Sequence, residues 1–297
     1  MQRSVTSDNP HTTNGQRQSV ALRWLTASVM IPVVLLVALL GGWWAFAAVL
    51  LVVVLGTLEL DRMMRQAGHR PLLWISLGLG AVLLVAAMLP AQRLALLEYG
   101  LAGAVLAAFF SLLFRKQQDG AVTDWALTLA IPLYIGLPMS FFLLFRGYEP
   151  ALTWNNGFAL SWPRGFLWIL TVFLGVWGFD SAAFFSGRYF GRHRLAPRVS
   201  PAKTWEGVLG GFVLSITASL LITVGPLGLP WYLAVVLGIL IGTAATLGDL
   251  AESLIKRQMH VKDSGQLVPG HGGLLDRIDS LLFAVVIVYM FAQLLGK

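Results

Sequence analysis

An all-α, polytopic integral membrane fold is predicted, with about nine transmembrane helices and a cytoplasmic N-terminus. Three features of the sequence predict it. Hydrophobic residues fill 57% of the 297 positions and charged residues only 12%, where soluble globular domains carry about 25% charged residues. Apolar runs approaching the ~20 residues that a helix needs to cross a bilayer recur along the chain. Lys and Arg gather on alternate connections between those runs, as the positive-inside rule requires.

The elements follow in order. Residues 1–18 are rich in Ser, Thr, Asn and Gln and have no early apolar core, so no cleavable signal peptide is expected. Residues 1–20 are read as a disordered polar tail. Spans are placed at 21–40, 43–60, 71–89, 94–114, 121–145, 165–186, 204–224, 229–247 and 274–295. Only Gly41 and Gly42 separate the first two, and merging them would leave eight. With the N-terminus inside, the inner segments hold 16 of the 21 basic residues and the outer segments four, with Arg277 inside the last span. The membrane part divides into N-terminal helices, 21–163, and C-terminal helices with long polar loops, 164–297, where the chemistry is expected. Two long polar loops, 187–203 and 248–273, then face the cytoplasm. Polar chemistry is therefore expected at the inner surface of an inner (plasma) membrane.

Composition also excludes function classes. Cysteine is absent, which removes disulfide frameworks, thiolate metal sites and catalytic thiols. The net charge of +7 reflects topology, not a nucleic-acid partner. No Gly-x-x-x-x-Gly-Lys-Ser/Thr sequence occurs, which argues against a P-loop nucleotidase.

The charged residues that remain concentrate in residues 253–279. Lys256, Arg257, Lys262, Asp263, Asp276, Arg277 and Asp279 stand there between two apolar spans. Asp276 and Asp279 are three apart, so on a helix they share a face. Asp249 and Glu252 form a second such pair at the end of the eighth span. Mg²⁺ is typically held by one or two carboxylates plus substrate phosphates, and Asp249 with Asp276, from facing helix ends, would meet that need. Helix-dipole stabilisation alone would account for one acid at a helix start, not for the pair. His271, Gly272 and Gly273 precede the last helix, where free amides and close backbone approach would suit an anion. Asp180 lies deep in the sixth span, where an unpaired carboxylate costs about 2.5–3.5 kcal/mol on insertion scales. Ser200, Lys203 and Thr204, just before the seventh span, make a plausible phosphate contact. Glu59 and Glu98 lie near span ends and are expected to be solvated.

These residues resemble a known signature. Ser253, Ile255, Lys256 and Arg257, then Lys262, Asp263 and Gly265, then Val268, Pro269, His271 to Leu274 and Asp276 to Asp279 match the pattern of CTP:phosphatidate cytidylyltransferases. Residues 180–191 and 200–207 resemble that family's upstream motifs. Val268 stands where Ile, Leu or Phe is usual, and Phe184 where Tyr is common. The resemblance implies CMP transfer from CTP to phosphatidic acid, with pyrophosphate leaving and CDP-diacylglycerol staying in the bilayer. It implies Mg²⁺ on Asp249 and Asp276, and the number of acids leaves room for a second, monovalent cation. Lys256, Arg257, Lys262 and Arg277 would offset phosphate repulsion, and Ser200, Lys203 and Thr204 would hold the lipid phosphate or the nucleotide. It also implies a homodimer. Two rivals remain at this level: a Mg²⁺-dependent polyprenyl-phosphate sugar-phosphate transferase, and a secondary transporter using Asp180, Asp249 and Asp276 as a relay. Transporters tend to bind near the midplane and show repeated halves; neither feature is seen here.

Overall fold

A computed structural model describes residues 28–146, 151–153, 161–265 and 272–296. Among them the fold is nearly all-α, with ten helices and two short antiparallel hairpins. The helices are α1 Ser28–Leu40, α2 Gly42–Gln66, α3 Leu73–Met88, α4 Arg93–Leu113, α5 Ala121–Tyr134, α6 Gly136–Phe145, α7 Arg164–Phe190, α8 Trp205–Thr223, α9 Trp231–Gln258 and α10 Leu275–Leu294. One hairpin pairs β1 (Ala151–Thr153) with β2 (Ser161–Pro163), the other β3 (Arg194–Ala196) with β4 (Ser200–Thr204). Six helical stretches are long and apolar enough to cross a membrane; α1 and α3 are shorter apolar helices. The fold is that of a multi-pass membrane protein. The polar tail at 1–20 lies outside the described residues.

The chain breaks between α1 and α2 at Gly41, whose φ of 64° and ψ of −155° define a conformation essentially closed to residues with a Cβ. That backbone turn separates α1 from α2. The span expected at 121–145 is present as one stretch long and apolar enough to cross a membrane, Ala121–Phe145, interrupted at Ile135 between α5 and α6. Pro132 is absorbed within α5, whereas Pro138 in α6 lacks the N–H that would reach back to the Tyr134 carbonyl, and α5 stops at Tyr134. Two expected loops are shorter than predicted. Helix α9 runs on to Gln258 and α7 to Phe190, so Asp249, Glu252, Lys256 and Arg257 all ride on one continuous helix.

Packing follows side-chain size. Helices α7, α8, α9 and α10 pack in sequence, and α3 packs against α2, α4, α5 and α6. Small residues allow the close approaches: a methyl at Gly238 would run into the backbone of Ile216, and one at Gly248 into the Asp279 carbonyl. Aromatic pairs join the two groups, with Phe145 of α6 5.2 Å from Tyr289 of α10 and Phe142 5.5 Å from Phe173 of α7. The outward faces stay apolar. On α4 only Ala104, Ala108 and Leu112 are buried, while Leu94, Leu106, Phe109 and Phe110 are exposed, as suits a lipid-facing helix.

The two ends of the bundle differ. At one end the C-terminal ends of α2, α7 and α9 meet the N-terminal ends of α8 and α10. The connections 67–72 and 114–120 join them: Asp124 accepts from the Arg70 amide at 2.7 Å and pairs with Arg115 at 2.8 Å. The four connections that the basic pattern assigns to one side therefore share an end. At the opposite end a methyl at Gly165 would meet the Phe145 carbonyl.

Candidate active site

The hairpin β3–β4 and the helix ends of α7, α9 and α10 build the polar site. Thr204 ends β4 and caps α8, its Oγ1 accepting from the Gly207 amide at 3.1 Å. That cap aims β4 so that the Lys203 ammonium reaches Asp249 Oδ2 of α9 at 2.7 Å. Glu206 closes the hairpin base by accepting from the Arg192 and His193 amides and by pairing with His193 Nδ1 at 2.6 Å. Arg257 Nε donates to the Val199 carbonyl at 3.3 Å and ties the hairpin turn to α9.

Helix α9 ends in a tight reversal. The His260 amide bonds to the Arg257 carbonyl and the Val261 amide to the Lys256 carbonyl, a pattern that requires a left-handed residue after the helix. His260 fills it with φ of 57°. The turn sends the chain back across the start of α10. Lys256 then bridges two carboxylates, 2.7 Å from Glu252 Oε2 and 2.6 Å from Asp276 Oδ1. The other oxygen of Asp276 accepts from the Ser264 amide at 3.2 Å, the Ser264 hydroxyl at 2.9 Å and the Gly273 amide at 3.1 Å.

The expected site residues within the described stretches occupy the following places. Asp249 and Asp276 lie on facing helix ends, each already paired with a lysine. Asp279 is 8% exposed in the contact between α9 and α10 and interacts electrostatically with Asp249, Asp180 and Glu252. Asp180 is exposed, and it interacts electrostatically with Asp249 and Lys203. Ser200 is half-buried at the start of β4. Thr204 is buried, and its hydroxyl is occupied by capping. Arg257, Lys262, Asp263 and Arg277 are exposed at the polar end. His271 lies outside the described residues.

Two expectations change. Glu59 is not solvated: it is 1% exposed, and its carboxylate accepts from the Leu274 and Leu275 amides, both at 2.9 Å. The amides at the start of α10 that were expected to meet an anion are therefore taken by Glu59, and the Gly273 amide by Asp276. Gly273 permits a close approach, since a methyl there would collide with the Ser264 hydroxyl, and Gly272 takes a positive φ of 86°. Glu98 is exposed, as expected. Sequence reasoning missed Glu59 and Ser264. An acid inside the apolar run before Asp61 was the available signal for the first; nothing marks Ser264 among loop serines.

Charge balance bears on cation binding. Among the described residues, Asp180, Asp249, Glu252, Asp276 and Asp279 interact with one another, and the lysines that touch them are Lys203 and Lys256. Glu252 Oε1 is buried without a hydrogen-bond partner. No group of three or more His, Cys, Asp or Glu among the described residues forms a ready cage. The set thus fits a cation held by one or two carboxylates, with phosphate oxygens and water completing its shell.

A model of the cytidylyltransferase family matches residues 21–295. The chain belongs to this family. It is 36% identical over 294 residues to a phosphatidate cytidylyltransferase of Synechocystis, covering 92% of this chain and 96% of that one. It is 32% identical over 281 residues to phosphatidate cytidylyltransferase 5, chloroplastic, of Arabidopsis thaliana, covering 88% and 68%. Identity to a phosphatidate cytidylyltransferase of Brucella melitensis is 43% over 165 residues, 51% of this chain and 59% of that one. The family match covers the N-terminal helices as well as the motif-bearing half.

Proposed function

We propose that this protein transfers CMP from CTP to phosphatidic acid, giving CDP-diacylglycerol and pyrophosphate for phospholipid biosynthesis. The observation that carries the reading is the excess of carboxylates gathered around Lys203 and Lys256, in a family whose relatives bear the name of that activity. A phosphate oxygen of phosphatidate forms a bond to the α-phosphorus of CTP, and the bond from that phosphorus to the β-phosphate oxygen breaks. The nucleophile is already anionic, so no general base is needed; the protein's work is alignment and neutralisation. Lys203 and Lys256 carry positive charge to where the two polyanions meet, and exposed Arg257, Lys262 and Arg277 extend it outward. Asp249 and Asp276 would hold Mg²⁺, which when bound supplies further neutralisation of the triphosphate.

Nine spans with the N-terminus inside place the polar end in the cytoplasm, where CTP is found. The clustering of the four basic connections at one end supports this arrangement. An inner-membrane location and a homodimeric state belong to the same reading. The test is to incubate purified protein with labelled CTP, phosphatidate and Mg²⁺. Phosphatidate-dependent formation of labelled CDP-diacylglycerol with equimolar pyrophosphate is expected. No lipid-linked label from active, folded preparations would overturn the reading.

A further inference from the structure

The N-terminal helices look like generic membrane spans, yet one of them reaches into the site. Glu59 lies on α2, and its partners lie more than 200 positions later in the chain. Its Oε1 accepts from the Leu274 amide and its Oε2 from the Leu275 amide, each at 2.9 Å. These donors open α10, where unpaired amides and the helix dipole favour a negative charge. At 1% exposure the carboxylate has no access to water, so the helix start is its counter-charge. The fit is tight, because a methyl on Gly265 would come 2.6 Å from Glu59 Oε1.

Ser264 links this cap to the site. Its hydroxyl lies 3.5 Å from Glu59 Oε2 and 2.9 Å from Asp276 Oδ2. A hydroxyl has one proton to donate, and the shorter distance assigns it to Asp276. Glu59 thus holds the backbone at 274–275, Ser264 packs between the two acids, and Asp276 is fixed against Lys256.

We infer that Glu59 is a positioning residue for the active site: through α2 it sets the register of the first turn of α10, and hence of Asp276. The inference rests on the proposed cytidylyltransferase reaction for its kinetic readout, and on hydrogen exchange for a readout independent of it. Gln is the sharp substitution. It keeps size, but its NH₂ must face an amide N–H that Glu accepts from.

The experiment compares full-length wild type with Glu59→Gln, Glu59→Asp and the exposed-acid control Glu98→Gln. Deuterium uptake of peptides spanning 272–280 and the Mg²⁺ dependence of CDP-diacylglycerol formation are both measured. Faster uptake is expected in Glu59→Gln, with activity or Mg²⁺ half-saturation worsened about 10–100-fold, the range for lost support of a metal-binding carboxylate. Glu59→Asp should fall between, and Glu98→Gln should match wild type. A folded Glu59→Gln with wild-type uptake, or with faster uptake but unchanged Mg²⁺ dependence and turnover, would overturn the inference. Should Glu59→Gln not accumulate folded, Glu59→Asp decides on the same two readouts. Absent product in wild type would count against the proposed reaction alone, leaving the exchange comparison to decide the positioning claim.

Discussion

Asp276 is held on both oxygens, by Lys256 on one and by Ser264 and the Gly273 amide on the other, and the oxygen facing Lys256 keeps a second lone pair for a cation. Asparagine there would turn an NH₂ toward either an ammonium or an amide, so Asp276→Asn should lower CTP turnover at least ~100-fold. Pyrophosphate release from protein that still elutes as a single folded species checks this. Lys203 is different, because its one strong contact is Asp249 at 2.7 Å. Lys203→Met should lower kcat/KM about 10–100-fold, with the split between KM and kcat showing whether the charge acts on bound CTP or on the reacting phosphates. At this scale the sequence was readable wherever polar residues broke an apolar background: Asp180, Lys203, Asp249, Lys256 and Asp276 all reach one site. Glu59 was misread because proximity to a span end suggested water, whereas its partners come from a segment over 200 positions away. Periodicity and composition carry no record of such pairings.

Helix ends decide where those side chains meet. The reversal after α9 places His260 in a left-handed conformation with φ of 57°, which costs a residue with a Cβ about 1 kcal/mol that glycine avoids. His260→Gly should therefore raise stability by about 0.5–1 kcal/mol, seen as a higher melting temperature in detergent, with turnover unchanged. Gly273→Ala should act in the opposite sense, since its methyl would displace Ser264 from Asp276; loss of most activity is expected in the pyrophosphate assay. Helix existence was legible from apolar run length, and the Gly41 break from two adjacent glycines. Boundaries were less so. The polar residues 248–258 looked like loop, but charges that are paired with one another and with neighbouring elements can ride on a helix extended past the apolar core, as in α9. The interruption of the 121–145 span at Ile135 was present in the sequence as Pro138, though a proline inside a membrane helix can also be absorbed without a break, as Pro132 is.

For the molecule as a whole, the lack of native cysteine makes orientation directly measurable. Single cysteines at Gln118 and Arg198 should resist an impermeant maleimide in intact cells and react once membranes are opened. A cysteine at Gly228 should react in both. The reverse pattern would place the polar end outside. The pairing of Asp249 with Lys203 and of Asp276 with Lys256 has a consequence for the protein at rest. Each of these two acids carries a lysine counterion within the fold, so the protein itself offsets their charge. Unlike a small zinc domain, which unfolds when stripped, this bundle should survive a chelator with its melting temperature nearly unchanged while turnover stops. Calorimetry with and without EDTA would show whether idle protein waits intact for its nucleotide.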